Sequence, residues 1–337
     1  MNSAFNQLLV WLLPFMPKPL IKMVAQQYVA GETIPEMLST VRRIRQEGCL
    51  CTVDLLGEFI TDISQARTTA EKYKHIIETL SKNFPNELPA SFSDTSVHDS
   101  ANTVGISIKL TALGLLLDQE VCYQLIHEIV GHARDHEMFV RIDMEDSGCT
   151  SDTLDMYSRL RREYNNVGIV LQAYLRRTLG DTRHIMKLRA GDFRLCKGIY
   201  NEPREIAYKD PSIINKNYTL ILEEMFKKSS YVGIATHDEK LVWEAFRLID
   251  QYQLAPHEYE FQMLLGVDTQ MRKMIASGGH RLRVYVPFGD QWHAYSLRRL
   301  KENPKIAGYV FQNFWKRVFK VQKRDSILEA LQPLNSH

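Results

Sequence analysis

From residue 51 the chain alternates between short β-rich runs and longer amphipathic helical stretches. The runs are rich in Val, Ile and Leu, as expected of strands buried on both faces, and alternation with helices indicates parallel pairing. The eight predicted strands span residues 51–55, 105–110, 139–144, 168–173, 193–197, 232–235, 260–264 and 283–286. The predicted helices span residues 62–81, 119–136, 151–163, 181–187, 213–228, 238–250, 268–276 and 291–301. Eight alternating units favour an α/β fold of the (β/α)8 barrel type, TIM-like and distorted, over an open sheet.

The rival fold, an open doubly wound sheet, would place a glycine-rich turn after its first strand. No G-x-G-x-x-G occurs there, and no G-x-x-x-x-G-K-[ST] occurs anywhere in the chain. A nucleotide cofactor, if one binds, is therefore not held by a Rossmann or P-loop turn. Ser151 and Asp238 are predicted to cap the helices that begin beside them.

The ends of the chain are predicted to lie outside the barrel. We expect an N-terminal helical segment at 1–48, including a helix at 34–46, a catalytic barrel at 49–304 and a C-terminal helical tail at 305–337. Residues 84–103 are predicted to form a polar loop. The apolar run at 5–16 would span about 18 Å as a helix, against about 30 Å for a bilayer core, so a transmembrane helix is not expected. It either packs on the domain or lies in a membrane surface.

Composition excludes several classes of protein. The chain of 337 residues is 45% hydrophobic and 24% charged, which is typical of a globular protein. With 42 basic and 40 acidic residues it has no broad positive field, so a nucleic-acid partner is not expected. The five scattered cysteines are predicted to be reduced thiols, and their spacing does not match a zinc site. One histidine at a strand end, His237, does not suffice for a metal centre, so no metal is predicted.

Polar side chains follow nearly every predicted strand, at the barrel end where active sites of this fold lie. Lys109 and Asp143 come from neighbouring strands and could form an ion pair, either structural or functional. Other polar side chains expected at this end are Gln172, Tyr174, Arg194, Lys197, Tyr200, Thr236, His237, Glu260, Gln262 and Tyr285. The last helix adds Tyr295, Arg298, Arg299 and Glu302.

The residue types indicate what such a site could bind. Two adjacent arginines, Arg298 and Arg299, can hold a carboxylate, and tyrosines suit a small ring with one apolar face. The donors at the strand ends suit a flat heteroaromatic ring and a pyrophosphate. Gly198 would let the backbone approach a ligand closely.

Seven stretches of the chain resemble the proline dehydrogenase family, whose members use FAD to oxidise L-proline to Δ1-pyrroline-5-carboxylate. They occur in the family's order and cover roughly residues 50–305, and the last of them is long and specific. The stretches are SIKLTALG (107–114), IDMED (142–146), LQAYLRR (171–177), RLCKGIY (194–200), ATHD (235–238), YEFQMLLG (259–266) and RVYVPFGDQWHAYSLRRLKENP (283–304).

The resemblance implies a role for each matching residue. Asp143 and Arg194 would be catalytic, with Arg194 near the hydride-accepting N5 of the flavin and Asp143 holding Lys109. The residues implied to bind substrate are Lys109, Tyr200, Leu264, Tyr285, Tyr295, Arg298, Arg299 and Glu302. Those implied to bind FAD are Met144, Gln172, Arg194, Lys197, Gly198, Ile199, Thr236 and His237.

The resemblance also implies partners and a location. Electrons would pass from the flavin to a membrane quinone, and the apolar segment at 5–16 and the aromatic, basic tail at 309–321 could contact the membrane. We therefore expect a cytoplasmic protein, peripheral on the inner face of the membrane. Because this chain carries no fused aldehyde dehydrogenase domain, a separate pyrroline-5-carboxylate dehydrogenase would act downstream, as in the single-function bacterial type.

Three positions depart from the family's usual pattern, and three other functions stay open. Ile199 stands where the family has alanine, Cys196 where it has valine, and Asn201 where an aromatic is common. The alternatives are a hydroxyproline dehydrogenase on the same barrel, a Schiff-base aldolase using Lys109 or Lys197, and a non-catalytic scaffold. Tyr285 would crowd a hydroxyl on the proline ring, which favours proline as the substrate.

Overall fold

The computed structural model describes residues 27–57, 60–85, 104–188, 191–293 and 295–297. Within Tyr28–Asp290, eight parallel strands close into a barrel in chain order, and the last strand pairs with the first. The strands are β1 (Leu50–Leu55), β2 (Val104–Ile108), β3 (Val140–Ile142), β4 (Val167–Gln172), β5 (Asp192–Cys196), β6 (Tyr231–Ala235), β7 (Tyr259–Leu264) and β8 (Leu282–Phe288). The predicted (β/α)8 barrel is confirmed.

Helices alternate with these strands and bury one face of each against the sheet. They are α1 (Ile34–Gln46), α2 (Ile63–Asn83), α3 (Gln119–Asp135), α4 (Thr150–Leu160), α5 (Thr178–Leu188), α6 (Pro211–Lys227), α7 (Glu239–Gln251) and α8 (Thr269–Ser277), with a 3₁₀ helix at Thr111–Leu113. Every predicted strand and the predicted helices between them are found, with ends shifted by up to three residues. The helix predicted at 291–301 lies partly outside the described residues.

Helix α1 packs on the outside of the barrel where β8 meets β1. Its buried side chains Met37, Val41 and Ile44 belong to the same hydrophobic core as the strands. The backbone just before it is also attached, because the Ala30 N–H donates to the carbonyl of Pro287 at 2.8 Å. The predicted helix at 34–46 is confirmed, and it forms part of the compact unit that contains the barrel.

Aspartates begin five of the helices that follow strands. In each, the side chain accepts backbone N–H groups of the first turn, which otherwise have no partner. The five are Asp62, Asp118, Asp210, Asp238 and Asp268. Asp238 is a cap as predicted. The predicted cap Ser151 is wrong: α4 begins earlier, at Thr150 after Cys149, and the Ser151 hydroxyl instead accepts from Arg177 Nη1 at 2.9 Å.

Some predicted segments fall outside the described residues. They are the apolar run at 5–16, most of the loop at 84–103 and the tail at 309–321. The division into domains at residues 48 and 304 stays a prediction. No helix in the described part of the chain is both long and apolar enough to cross a bilayer.

Candidate active site

Four charged side chains from four different strands meet inside the barrel near the C-terminal strand ends. We call Asp54, Lys109, Asp143 and Arg194 the ion cluster. Lys109 Nζ lies 2.7 Å from Asp54 Oδ1 and 3.9 Å from Asp143 Oδ2. The predicted pairing of Lys109 with Asp143 is therefore a longer ion pair, and the hydrogen bond of the lysine goes to Asp54.

Asp143 is the hub of the cluster. Its Oδ1 accepts from Arg194 Nη1 at 2.7 Å and from Ser107 Oγ at 2.5 Å. Its Oδ2 accepts from the Tyr285 hydroxyl at 2.8 Å. These donors come from β2, β5 and β8, so a carboxylate next to β3 ties together strands that are not neighbours in the sheet. Such bonds cross the interior of the barrel and fix the orientation of Asp143.

The surroundings of Lys109 keep it charged. Burial alone would lower its pKa, but the carboxylates of Asp54 and Asp143 more than offset this, so the pKa is raised above its usual value. Burial raises the pKa of the Asp54 carboxyl, and Lys109 offsets part of that effect. Because the ammonium is favoured, Lys109 can attract an anion, whereas a Schiff base would need a neutral amine.

Arg194 is buried and held on two sides. Its Nη1 donates to Asp143 and, at 3.3 Å, to Ser107 Oγ, while its Nε donates to Gln262 Oε1. The guanidinium carbon lies 5.2 Å from the centre of the Tyr285 ring. The third nitrogen, Nη2, has no hydrogen bond to any residue that the structure describes. It is the one part of this guanidinium that a ligand could engage without displacing a protein contact.

The remaining residues predicted to bind substrate are only partly placed. Leu264 ends β7, and Tyr200 follows β5; both are half-buried. Tyr295 is buried within the segment from Gln291, which belongs to the second compact unit. Arg298, Arg299 and Glu302 lie outside the described residues. The site that the structure shows is thus the part built on the strands.

Two of the residues predicted to hold the flavin form one contact. The Gln172 amide donates to the carbonyl of Met144 at 3.2 Å, which links the ends of β3 and β4. The other end of that amide, Oε1, is buried and has no hydrogen bond to the described residues. A buried acceptor without a donor is costly, so this oxygen is suited to accept a donor from a ligand.

The ends of β5, β6 and β7 are joined by a second set of contacts. Lys197 Nζ is paired with Asp238, and the Asp238 N–H donates to Thr236 Oγ1 at 3.1 Å. His237 Nε2 accepts from the Leu264 N–H at 3.0 Å, so in the neutral ring the proton is on Nδ1. Because Thr236 Oγ1 acts as the acceptor in its bond to Asp238, its hydroxyl keeps an O–H that can donate.

The backbone after β5 is shaped by a glycine. Gly198 has φ +103°, and a Cβ there would lie 2.0 Å from Cδ1 of the Tyr174 ring, so another residue would displace the ring. Next to it, Ile199 is 46% exposed, an apolar side chain at the rim of the site. The space that Gly198 leaves is filled by the Tyr174 ring, and the close approach of its backbone to a ligand stays a prediction.

The cysteines take no part in the cluster. All five are free. Burial raises the pKa of the Cys196 thiol to about 11, which keeps it protonated and unsuited to act as a nucleophile. Among the described residues, no three His, Cys, Asp or Glu side chains are arranged to share a metal ion.

Sequence reasoning missed two members of the site. They are Asp54, the one acidic residue in the run CTVDLL, and Ser107, which lies two residues before Lys109. The signal for Asp54 was present, since an acid near the end of a fully buried strand needs a cation. The partner of Asp54 can be identified only from the strand register, which pairs Asp54 with Ser107, two residues before Lys109 at the end of β2.

Comparisons with known proteins identify the family. The family model described as Proline dehydrogenase matches residues 37–312. The chain is similar to proline dehydrogenase 1 of Bacillus subtilis, with 31% identity over 87% of this chain and 91% of the relative. It is also similar to proline dehydrogenase of Deinococcus radiodurans, with 32% identity over 87% and 90%.

A solved structure supports the fold. Proline utilization A from Bdellovibrio bacteriovorus, inactivated by N-propargylglycine, superimposes with a TM-score of 0.77 and 25% identity. The match covers 83% of this chain and 33% of that longer protein. With the family model spanning most of its length and relatives above 30% identity, the chain belongs to the proline dehydrogenase family.

Proposed function

We propose that the chain oxidises L-proline to Δ1-pyrroline-5-carboxylate with FAD held at the C-terminal ends of the strands. The observation that carries this proposal is the ion cluster with Tyr285. Five side chains from separate strands converge there, joined by contacts of 2.7 to 3.9 Å. Membership of the family supports proline oxidation as the reaction. The ion cluster supports the C-terminal strand ends as the position of the active site.

The residues present fit a flavin. The orphaned Gln172 Oε1 can accept a hydrogen bond from the ring, and Arg194 Nη2 can donate one. Lys197, Thr236 and His237 would hold the rest of the cofactor, together with the backbone of Gly198 and Ile199 and the side chain of Met144. When bound, FAD supplies the hydride acceptor, whereas the protein supplies position and electrostatics.

Lys109 is proposed to bind the carboxylate of proline, together with Arg298 and Arg299. Two acids keep its ammonium charged and point it, so little conformational freedom is lost on binding. Tyr200, Leu264, Tyr285 and Tyr295 would form the wall around the ring, and Glu302 would pair with the arginines. Asp143 positions Lys109, Tyr285 and Arg194 at once.

Tyr285 favours proline over trans-4-hydroxyproline. Its hydroxyl donates to the Asp143 carboxylate at 2.8 Å, a charge-assisted bond that must break before the ring can move aside. A substrate with a hydroxyl on its ring would therefore meet a side chain that yields little space.

Oxidation of proline also implies an electron acceptor and a reaction that consumes the product. Electrons would go to a membrane quinone, and a separate pyrroline-5-carboxylate dehydrogenase would use the product. A cytoplasmic protein, peripheral on the inner face of the membrane, would suit the quinone. Co-sedimentation with liposomes tests the contact: equal binding by the full chain and by a chain lacking residues 1–17 would rule out a role for the N-terminal run.

The visible spectrum of the purified protein tests the main proposal. We expect a flavin band that bleaches when L-proline is added without oxygen. A band that persists with proline and bleaches with trans-4-hydroxyproline would change the substrate. If no band appears after incubation with FAD, the proposal fails, and trapping with borohydride and a carbonyl substrate would then test the aldolase alternative.

A further inference from the structure

Gln262 lies at the centre of a hydrogen-bonded chain that ends on Arg194. It is buried on β7, across the barrel from Asp143, and its amide oxygen accepts from Arg194 Nε. Arg194 Nη1 is held from the other side by Asp143 at 2.7 Å. Two contacts on two different nitrogens fix both the position and the plane of a guanidinium, which one contact cannot do.

Glu260 determines which end of the Gln262 amide faces Arg194. The amide nitrogen of Gln262 donates to Glu260 Oε1 at 2.5 Å. The same carboxylate accepts from Arg283 Nε at 2.7 Å and from the Tyr231 hydroxyl at 3.0 Å. An ionised carboxylate only accepts, so the NH₂ group must face Glu260 and the oxygen must face Arg194.

Glu260 stays ionised although it is fully buried. Burial alone would raise its pKa, but Arg283 and the hydrogen bonds outweigh burial, and the pKa lies below its usual value. Arg283 is itself fixed, because its Nη1 donates to the carbonyl of Cys51 at 2.8 Å. The orientation of the amide is thus anchored to the backbone of β1.

A glycine on the neighbouring strand makes room for the Gln262 amide. Gly233 pairs with Arg194 on one side and with Glu260 on the other. A Cβ at Gly233 would lie 2.3 Å from Gln262 Nε2 and 2.7 Å from its Cδ, so alanine there would displace the amide. The space and the hydrogen bonds therefore independently favour one placement of Gln262.

We infer that Gln262 is a positioning residue for Arg194, oriented by the Glu260–Arg283 pair, and that it directs Nη2 of the guanidinium toward the bound cofactor. The inference rests on the proposed function, which places a flavin beside Arg194. A fixed positive charge there favours the reduced, more negative flavin. Loosening the guanidinium weakens that stabilisation without removing any group that contacts proline.

The test is Gln262→Met in the FAD-loaded protein, since methionine keeps the volume and removes both hydrogen bonds. We expect flavin reduction by proline to slow about tenfold, with KM for proline changed less than threefold. The equilibrium constant for two-electron reduction should fall about tenfold, which is a midpoint potential about 30 mV more negative. The potential is measured by dye equilibration and needs no substrate.

Asn166→Leu is the matched control. Asn166 is also a buried amide, with its nitrogen bonded to the carbonyls of Val130 at 3.1 Å and Met138 at 3.0 Å, away from the ion cluster. The Asn166→Leu variant should be less stable than the wild type, but its flavin should have the wild-type midpoint potential. If Gln262→Met has the same potential and reduction rate as Asn166→Leu, the inference is overturned.

Gly233→Ala is a second variant that tests the position of the Gln262 amide, and it keeps every hydrogen-bonding side chain. It should shift the potential in the same direction as Gln262→Met, and it replaces that variant if Gln262→Met does not fold. An unchanged potential in a folded Gly233→Ala protein would also overturn the inference. A wild-type protein that binds FAD but is not reduced by proline contradicts the proposed function instead, so the two failures are distinguishable.

Discussion

At the scale of single residues, the geometry of the site depends on which carboxylate accepts a hydrogen bond from Lys109 and which from Arg194. Lys109 donates to Asp54 and lies farther from Asp143, while Arg194 and Tyr285 occupy the oxygens of Asp143. Both acids form ion pairs with Lys109, but their hydrogen bonds differ. Asp54 neutralises and points the lysine, and Asp143 connects the arginine with the tyrosine.

Asp54→Asn should weaken the binding of proline. It removes the charge that lies 2.7 Å from Lys109 Nζ, so the ammonium loses both its direction and part of its stabilisation. The loss of a charge-assisted hydrogen bond is worth about 1.5 kcal/mol or more, so KM for proline should rise about tenfold. Steady-state kinetics measures this. Asp181→Asn, which breaks a pair with Arg177 at the start of α5, away from the ion cluster, is the control and should leave KM unchanged. Equal KM values in the two variants would contradict the role of Asp54.

Tyr285→Phe should reduce the preference for proline over trans-4-hydroxyproline. The ring remains, but the bond that ties it to Asp143 at 2.8 Å is lost, so the ring can move aside more easily. We expect the ratio of kcat/KM for the two substrates to fall several-fold. The ratio corrects for any change in the amount of active protein. A ratio that stays at the wild-type value would show that Tyr285 does not set the preference.

The predictability of the site also differs from residue to residue. The convergence of Lys109, Asp143, Arg194 and Tyr285 follows from the rule that strand ends form the site. The choice of Asp54 by Lys109 does not, because it depends on the stagger between β1 and β2. Arg298, Arg299 and Glu302 are not described, so their roles remain predictions.

At the scale of elements, the strands are largely apolar, and polar side chains from several of them meet inside the barrel. Arg194 on β5 reaches Ser107 on β2, and Arg141 on β3 pairs with Asp192 on β5, so these contacts cross the interior. Glycines on the strands between make the space for long side chains. Gly168 lies beside Arg141, as Gly233 lies beside Gln262.

Gly168→Ala should destabilise the protein. A Cβ at this position would lie 2.3 Å from Arg141 Nη1, and that arginine is buried in its pair with Asp192. Overpacking of this kind costs about 1–3 kcal/mol. Urea unfolding measures the change in the free energy of unfolding.

Gly180→Ala is the matched control for Gly168→Ala. Gly180 is exposed in α5, and nothing lies within 4 Å of an added Cβ. Alanine should stabilise the helix by roughly 0.5–1 kcal/mol. If both substitutions shift the unfolding midpoint equally, the space beside Arg141 is not needed.

The existence of the elements could be read from the sequence better than their ends could. Buried parallel strands appear as apolar runs, which is why all eight were predicted. The end of β3 was placed too late, at 144, because the chain turns away after Ile142 and only the Asp143 N–H still bonds to Ile108, at 2.9 Å. Ser151 was predicted as a cap from its residue type, but Thr150 already continues the helical turn from Cys149.

At the scale of the whole molecule, capping carboxylates make stability depend on pH. Asp238 begins α7; burial raises its pKa, but bonds from Lys197 and Asn215 outweigh burial and leave the pKa lowered. A lowered folded pKa contributes stability that is complete above the unfolded pKa of about 3.9 and is lost as the pH falls through the folded pKa.

Asp238→Asn should therefore reduce the acid sensitivity of folding. Asparagine still caps the helix but does not titrate, so the loss of stability between pH 6 and about pH 3 should be smaller than in the wild type. Urea unfolding at both pH values tests this. Asp118→Asn is the control, because it removes a capping carboxylate that has no cation partner in the described chain. It should change the difference in unfolding free energy between the two pH values less than Asp238→Asn does. A wild-type pH dependence in Asp238→Asn would contradict the argument.

The ion cluster has a further consequence for how a ligand arrives. The ion cluster pairs two acids with two bases, so its formal charges cancel, and the whole chain carries only +2. A zwitterionic amino acid is likewise neutral overall. Such a pair gains little from long-range attraction, which acts between net charges. The site would therefore discriminate between ligands through short-range contacts, in which the hydrogen-bond donors of the ligand must face the acceptors of the barrel and the reverse.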